Sequence, residues 1–260
     1  MTATIYYFSG TGNSLHAARR IAEHVKDSKL VNIAGLAGAT EIVENDETVG
    51  LVFPVFFGDM PDIVKDFLGK LKITGKPYFF AVATYGVMQG NVLFSLDRQL
   101  KTKGIEMSAS FTLAMPDNAY TKMNFITPPE QREAILKASE ARLAEIADAI
   151  SHKQAVPVPG KSSVTAGIMS GTIKAVCGNF QKGFHSNSDC TGCHTCEKIC
   201  PASNIEVSGT TVTWGDKCAK CLACFHWCPQ QAVQLDKKTP AIARYHHPRV
   251  TEKDLTAREA

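Results

Sequence analysis

Eight of the nine cysteines in this 260-residue chain fall into two copies of one pattern, CxxCxxCxxxCP. The first copy is Cys190, Cys193, Cys196 and Cys200 before Pro201; the second is Cys218, Cys221, Cys224 and Cys228 before Pro229. A doubled run of this kind is the ligand set of two [4Fe-4S] clusters, which implies one-electron chemistry. Three thiolates at intervals of three residues sit on a loop that curls round one iron–sulfide cube. The fourth, three residues further on and ahead of a proline, points away from that loop.

In two-cluster ferredoxins the fourth cysteine ligates the other cluster. The expected pairing is therefore crossed: Cys190, Cys193, Cys196 and Cys228 hold one cluster, and Cys218, Cys221, Cys224 and Cys200 hold the other. Equivalent cysteines recur at an offset of 28 residues, and each run precedes a short β-prone stretch, Ile205 to Val207 and Ala232 to Leu235. Other chemistries fit less well. A zinc ribbon needs four ligands rather than eight and would leave the third cysteine of each run idle. Disulfides need an oxidising compartment, whereas the opening Met1-Thr2-Ala3-Thr4-Ile5 has neither a basic n-region nor an apolar h-region, so a cytoplasmic location is expected. Cys190 to His194 spells the haem attachment pattern CxxCH, but its cysteines belong to the longer match. His194 reads as a solvent-side residue near a cluster, and Cys177, outside both runs, as a packed side chain.

The rest of the chain must supply a partner for that chemistry. A formal charge of +3 with no lysine or arginine block leaves no nucleic-acid footprint, and no apolar run approaches the roughly eighteen residues of a membrane span. Residues 1–154 alternate strand and helix signals. Thr4 to Phe8, Leu30 to Ile33, Val49 to Phe53, Tyr78 to Ala83 and Met107 to Leu113 read as buried strands; Leu15 to Val25, Ile63 to Leu71, Val92 to Lys103 and Pro129 to Ile150 read as helices. That order predicts an α/β fold with a doubly wound five-stranded parallel sheet, which binds ligands beyond the carboxyl ends of its strands.

After the first strand comes Ser9-Gly10-Thr11-Gly12-Asn13-Ser14. Its hydroxyls, close-approach glycines and helix-start N–H groups suit a phosphate monoester, held without any lysine or arginine in the loop. GxxxxGK[ST] is absent, and Leu15 stands where a dinucleotide fingerprint needs its third glycine, so no bound nicotinamide is expected. Two more loops emerge on the same edge: Pro54-Val55-Phe56-Phe57-Gly58 after the third strand, and Thr84-Tyr85-Gly86 running on to Gly90 after the fourth. Together they offer aromatic faces and glycines around a cleft able to sandwich a flat tricyclic ring.

Phe8-Ser9-Gly10-Thr11-Gly12-Asn13-Ser14 closely resembles the phosphate loop of flavodoxin-like domains. With Pro54-Val55-Phe56-Phe57-Gly58 and the two cysteine runs, nearly the whole chain resembles the flavodoxin-ferredoxin fusion proteins called the EFR family, found mainly in anaerobic bacteria. The resemblance implies FMN and two [4Fe-4S] clusters. Ser9, Thr11, Gly12, Asn13 and Ser14 would hold the phosphate, with Phe56, Phe57 and Tyr85 near the ring. Gly58 would be able to turn its peptide carbonyl toward the flavin. Phe56-Phe57 stands where long-chain flavodoxins often carry tryptophan.

The expected organisation is a flavodoxin-like domain over residues 1–154, a linker or amphipathic brace helix over 155–180, a two-[4Fe-4S] ferredoxin domain over 181–238 and a tail over 239–260. Val156-Pro157-Val158-Pro159-Gly160 should break the preceding helix. Val164, Ile168, Met169, Ile173, Val176 and Phe180 then recur at helical spacing as a face that packs between the domains. Arg244-Tyr245-His246-His247-Pro248 should dock on the surface, and His226 and Trp227 should shield a cluster. The expected function is an electron carrier joining FMN to two clusters and coupling a redox protein donor to an acceptor, each a ferredoxin or a reductase. The alternative is an FMN-dependent reductase of a small organic acceptor such as a quinone or free flavin, with Tyr85 and Tyr120 the cleft's candidate proton donors. A cluster-based regulator is disfavoured by the lack of a DNA-reading motif.

Overall fold

The computed structural model describes residues 2–121, 123–158 and 164–256. The β-branched and aromatic runs form β1 (Ala3–Tyr7), β2 (Ser28–Asn32), β3 (Thr48–Pro54), β4 (Tyr78–Tyr85) and β5 (Ala109–Ala114). They make one parallel sheet in the order β2-β1-β3-β4-β5. That is the flavodoxin-like doubly wound order, with its switch point between β1 and β3. Because helices cover both faces, the inner strands are buried throughout: every residue of β1 and all but the ends of β3 and β4 are buried.

Helices α1 (Asn13–Ala22), α2 (Asp62–Lys70), α3 (Val92–Lys101) and α4 (Pro129–Ser151) each turn one apolar stripe to the sheet. In α1 the stripe is Leu15, Ala18 and Ile21; in α4 it is Leu143, Ile146 and Ile150. Pro129 opens α4 where its missing N–H has no helical partner to lose. The expected helix near Ile63 to Leu71 stops one residue early. Leu71 turns extended and begins a short parallel ladder, Ile42–Glu44 with Leu71–Ile73, which three-residue apolar runs do not announce.

Helix α5 (Val164–Cys177) forms as expected, and much of its apolar side-chain surface is exposed. Val164, Ile168, Met169 and Val176 are 74, 66, 49 and 54% exposed, and only Cys177 is buried. The segment is apolar on nearly all sides and lacks a single stripe to bury. Phe180 leaves the helix and is buried in a short 3-10 turn, Phe180–Gly183. Pro159 and Gly160 of the expected helix break lie outside the described residues.

The cysteine-rich region is built from short pieces: β6 (His185–Ser186) paired with β9 (Val233–Gln234), the hairpin β7 (Ile205–Ser208) and β8 (Thr211–Trp214), and the single-turn helices α6 (Thr195–Ile199) and α7 (Ala223–His226). The 28-residue repeat is written into its backbone. Gly192 and Lys220, His194 and Leu222, and Ser203 and Gln231 form three equivalent pairs, all with positive φ. The amide of Asn204 donates to Cys200 Sγ at 3.3 Å, and that of Ala232 to Cys228 Sγ at 3.2 Å. Tyr120 and Ile126 of the sheet region join Phe180, Phe225, Val233, Leu235 and Tyr245 in one buried cluster.

The tail does more than dock on the surface. Tyr245 and His247 are 3 and 2% exposed, and α8 (Glu252–Thr256) is tied down by the Arg19–Asp254 ion pair at 2.5 Å. Among the described residues no helix is long and apolar enough to cross a membrane.

Candidate functional site

At the carboxyl ends of β1, β3, β4 and β5 lies a cavity of about 480 Å³, within the range of small-molecule and cofactor sites. Ser9, Gly10, Thr11, Asn13 and Ser14 line it from the first loop, Pro54 to Gly58 from the second, and Thr84, Tyr85 and Gly86 from the third. The loop after β5 adds Pro116, Asp117 and Asn118. Two expected contacts do not line it. Gly12, at φ +98°, faces the tail, where a Cβ would lie 2.9 Å from Val250. Gly90 stands behind the second loop, where a Cβ would lie 2.1 Å from the Gly58 carbonyl oxygen. Tyr120 is also withdrawn: it is buried and donates to Asp236 Oδ2 at 2.9 Å.

The polar side chains of the first loop hold it in place at the start of α1. Gly12 N–H donates to Ser9 Oγ at 3.1 Å, Asn118 Nδ2 donates to Thr11 Oγ1, and the Ser14 and Thr84 hydroxyls share a 2.8 Å hydrogen bond. Asn13 is a bracket: its Nδ2 donates to the Pro116 carbonyl at 3.0 Å, and its Oδ1 accepts from Tyr245 Oη at 2.7 Å. In the second loop the Phe56 and Asp59 backbones are mutually bonded at 2.9 and 3.0 Å, with φ of 54° at Phe57 and 75° at Gly58. Positive φ at both central residues is the type I′ pattern, which Gly58 adopts at no cost and Phe57 does not. The Gly58 carbonyl accepts from Asn91 N–H at 3.2 Å.

Asp117 braces the third and fourth loops, accepting from Val87 N–H at 2.9 Å and Ala119 N–H at 2.7 Å. Burial pushes its pKa up, against the opposing pull of those hydrogen bonds. It sits so close to Gly86 that a Cβ there would lie 2.1 Å from Asp117 Oδ2.

The cysteine-rich region forms part of the cavity wall. Lys220, Cys221 and Leu222 line it, and a Cβ on Gly10 would lie 2.5 Å from the Cys221 carbonyl oxygen, so the first loop and the second cysteine run touch backbone to backbone. Met169, Ile173 and Phe180 also line it. None of these was legible as part of this cavity's wall: the cysteine pattern announces thiols, not what lies beside them.

The eight thiols separate into two electrostatic groups. Burial raises the pKa of Cys196 to about 11, and the neighbouring charges that raise it further are Cys228, Cys193 and Cys190. Those four line one small hollow. Burial likewise raises the pKa of Cys218, Cys221 and Cys224, and each of the three feels Cys200. Among the described residues no three His, Cys, Asp or Glu side chains converge closely enough to hold a single ion. Cys193 is exposed and Cys221 is buried against the cavity.

His226 and Trp227 face the first loop and the tail. His226 Nε2 is 2.8 Å from the Asn118 carbonyl, and its Nδ1 accepts the Tyr245 N–H at 3.1 Å, so Nε2 carries the proton. Trp227 donates to the Gly10 carbonyl at 3.0 Å and stacks on His246 at 4.1 Å. His194 bonds Glu197 at 2.7 Å near the surface.

No family model matches the chain. It is 39% identical over 64 residues to one component of the ion-translocating oxidoreductase complex of Methanosarcina acetivorans, a match covering 24% of this chain and 21% of that protein. The chain thus matches about a fifth of that relative's length. Among solved structures, a two-electron reduced flavodoxin from Megasphaera elsdenii aligns at 23% identity and TM-score 0.35, over 45% of this chain and 90% of that one. An FMN-dependent NADH-azoreductase from Bacillus anthracis aligns at 10% identity and TM-score 0.39, over 58% of this chain and all of that one (100%). Strand order and direction, not these scores, define the class: a flavodoxin-like α/β fold joined to a cysteine-rich region.

Proposed function

We propose that the chain is an electron carrier that binds FMN in the cavity at the sheet edge and holds two [4Fe-4S] clusters on its cysteine runs. The residues suit both groups. The hydroxyl-bearing loop at the start of α1 suits a phosphate, with Phe57 and Tyr85 lining the ring's share of the space. The grouping of the thiols supports the crossed assignment of Cys190, Cys193, Cys196 and Cys228, and of Cys200, Cys218, Cys221 and Cys224. Eight cysteines in two runs suit two clusters better than one zinc, which takes four ligands.

The observation that carries this reading is the position of Cys221, a ligand residue on one side and a wall of the flavin cavity on the other. It supports a relay in which the cluster of Cys218, Cys221 and Cys224 lies next to the flavin. The cluster of Cys190, Cys193 and Cys196 would open to a docked redox protein at exposed Cys193. FMN handles one or two electrons and each cluster one at a time, so such a protein interconverts pair and single transfers. This is the arrangement expected of the flavodoxin-ferredoxin fusions that the sequence resembles.

A second reading, direct reduction of a small apolar acceptor at the flavin, is favoured by the apolar part of the cavity wall at Met88, Met123, Met169 and Ile173. Anaerobic reconstitution tests the first: about eight irons and one FMN per chain are expected. Iron near zero with stoichiometric zinc would reject it. Saturable reoxidation of the reduced protein by one quinone, with no response to protein acceptors, would select the second.

A further inference from the structure

We propose that Lys220, carried on the second cysteine run, is the counter-charge for the phosphate of the flavin, so that the cluster-binding region completes the flavin site. The inference rests on the flavin reading above and deepens it. The first loop has no lysine or arginine, and among the described residues Lys220 is the one cationic side chain lining the cavity. The one carboxylate there, Asp117, already accepts hydrogen bonds from the Val87 and Ala119 amides. Lys220 enters beside the phosphate loop, because the next residue, Cys221, meets Gly10 backbone to backbone.

The internal repeat supplies an independent argument. Lys220 occupies the position equivalent to Gly192, and both have left-handed backbones, with φ of 59 and 68°. In the first run the glycine is required, since a Cβ there would lie 2.3 Å from the Gly209 carbonyl oxygen. The second run keeps the same conformation with a lysine, which that conformation disfavours. The fold of the loop therefore asks for glycine, and lysine is the departure. Lys220 lines the cavity proposed to hold the dianion, and a charge-assisted contact there would offset the backbone strain.

The test uses cluster-loaded protein stripped of flavin and titrated anaerobically with FMN and with riboflavin, which lacks the phosphate, following flavin fluorescence. Lys220→Gln is expected to weaken FMN binding about tenfold, the size of one charged hydrogen bond, while riboflavin binding and iron content stay unchanged. Lys220→Arg should restore FMN binding. Lys220→Gly, which relaxes the backbone, should lose FMN affinity as Lys220→Gln does, separating charge from folding. Equal FMN affinity in Lys220→Gln, or equal weakening of both flavins, would overturn the proposal. Failure of the unaltered protein to bind either flavin would reject the flavin reading beneath it.

Discussion

The sheet region and the cysteine-rich region solve the problem of holding a site in opposite ways. In the first, β1, β3 and β4 run five to eight residues each and bury Ile5, Leu51, Phe53, Phe79 and Phe80 almost completely. Its loops are consequently placed by a core that needs no ligand. In the second, strands run two to four residues, and the thiols of Cys196, Cys200 and Cys224 take places in the buried cluster. Burial there raises the pKa of Cys221 and Cys224, so neutral sulfur is favoured at both unless a bound metal stabilises the thiolate. One region's fold makes its site; the other's site should make its fold.

The strongest break of that comparison is Cys200→Ser. It should remove the cluster served by Cys218, Cys221 and Cys224, cutting iron from about eight to about four per chain, and leave the five-stranded sheet intact. Alkylation followed by mass mapping should then find Cys218, Cys221 and Cys224 reactive and Cys190, Cys193 and Cys196 protected. The reverse pattern would sink the crossed pairing.

Acid should next separate the tail from both regions. His247 stacks on His16 at 4.0 Å with Arg249, His246 and Glu140 around them, and burial depresses its pKa from 6.5 to about 3. The neutral form is the folded form, so the unfolded state binds more protons between those values, and stability falls as pH drops through that window. Hydrogen exchange at the His247 amide, which donates to the Thr11 carbonyl at 2.8 Å, should accelerate from pH 6.5 toward 5 after intrinsic-rate correction, while β4 amides stay protected. Uniform acceleration would show that the tail is not a separate unit.

The smallest effect sharpens how the regions are joined. Tyr245→Phe removes the buried hydrogen bond to Asn13 Oδ1, and should cost about 1 kcal/mol of stability. It should also loosen FMN more than it alters cluster content, since Asn13 stands in the phosphate loop. A change confined to the clusters would place the tail's role elsewhere.

Much of this was legible in the residues alone. The five strands lie within a few residues of their apolar runs, because a doubly buried parallel strand has to be continuously apolar. The repeat of 28 predicted equivalent halves, and the backbone repeats it down to three pairs of positive φ. Gly12 and Gly90, expected beside a flavin, lie off the cavity because a glycine shows only that something comes close. At Gly12 it is Val250 of the tail, and at Gly90 the Gly58 backbone. The apolar spacing in α5 marked a helix, yet not what it would touch.

By itself the sequence pointed to the proposed classes of chemistry and determined the local elements, since periodicity, turn residues and ligand spacing act within a few residues of one another. Only the tertiary structure decided that Cys221 would back onto Gly10, that Lys220 would face the cavity, and that Tyr245 would reach Asn13. Those contacts join residues far apart in the chain, and packing rather than local pattern selects which surfaces meet.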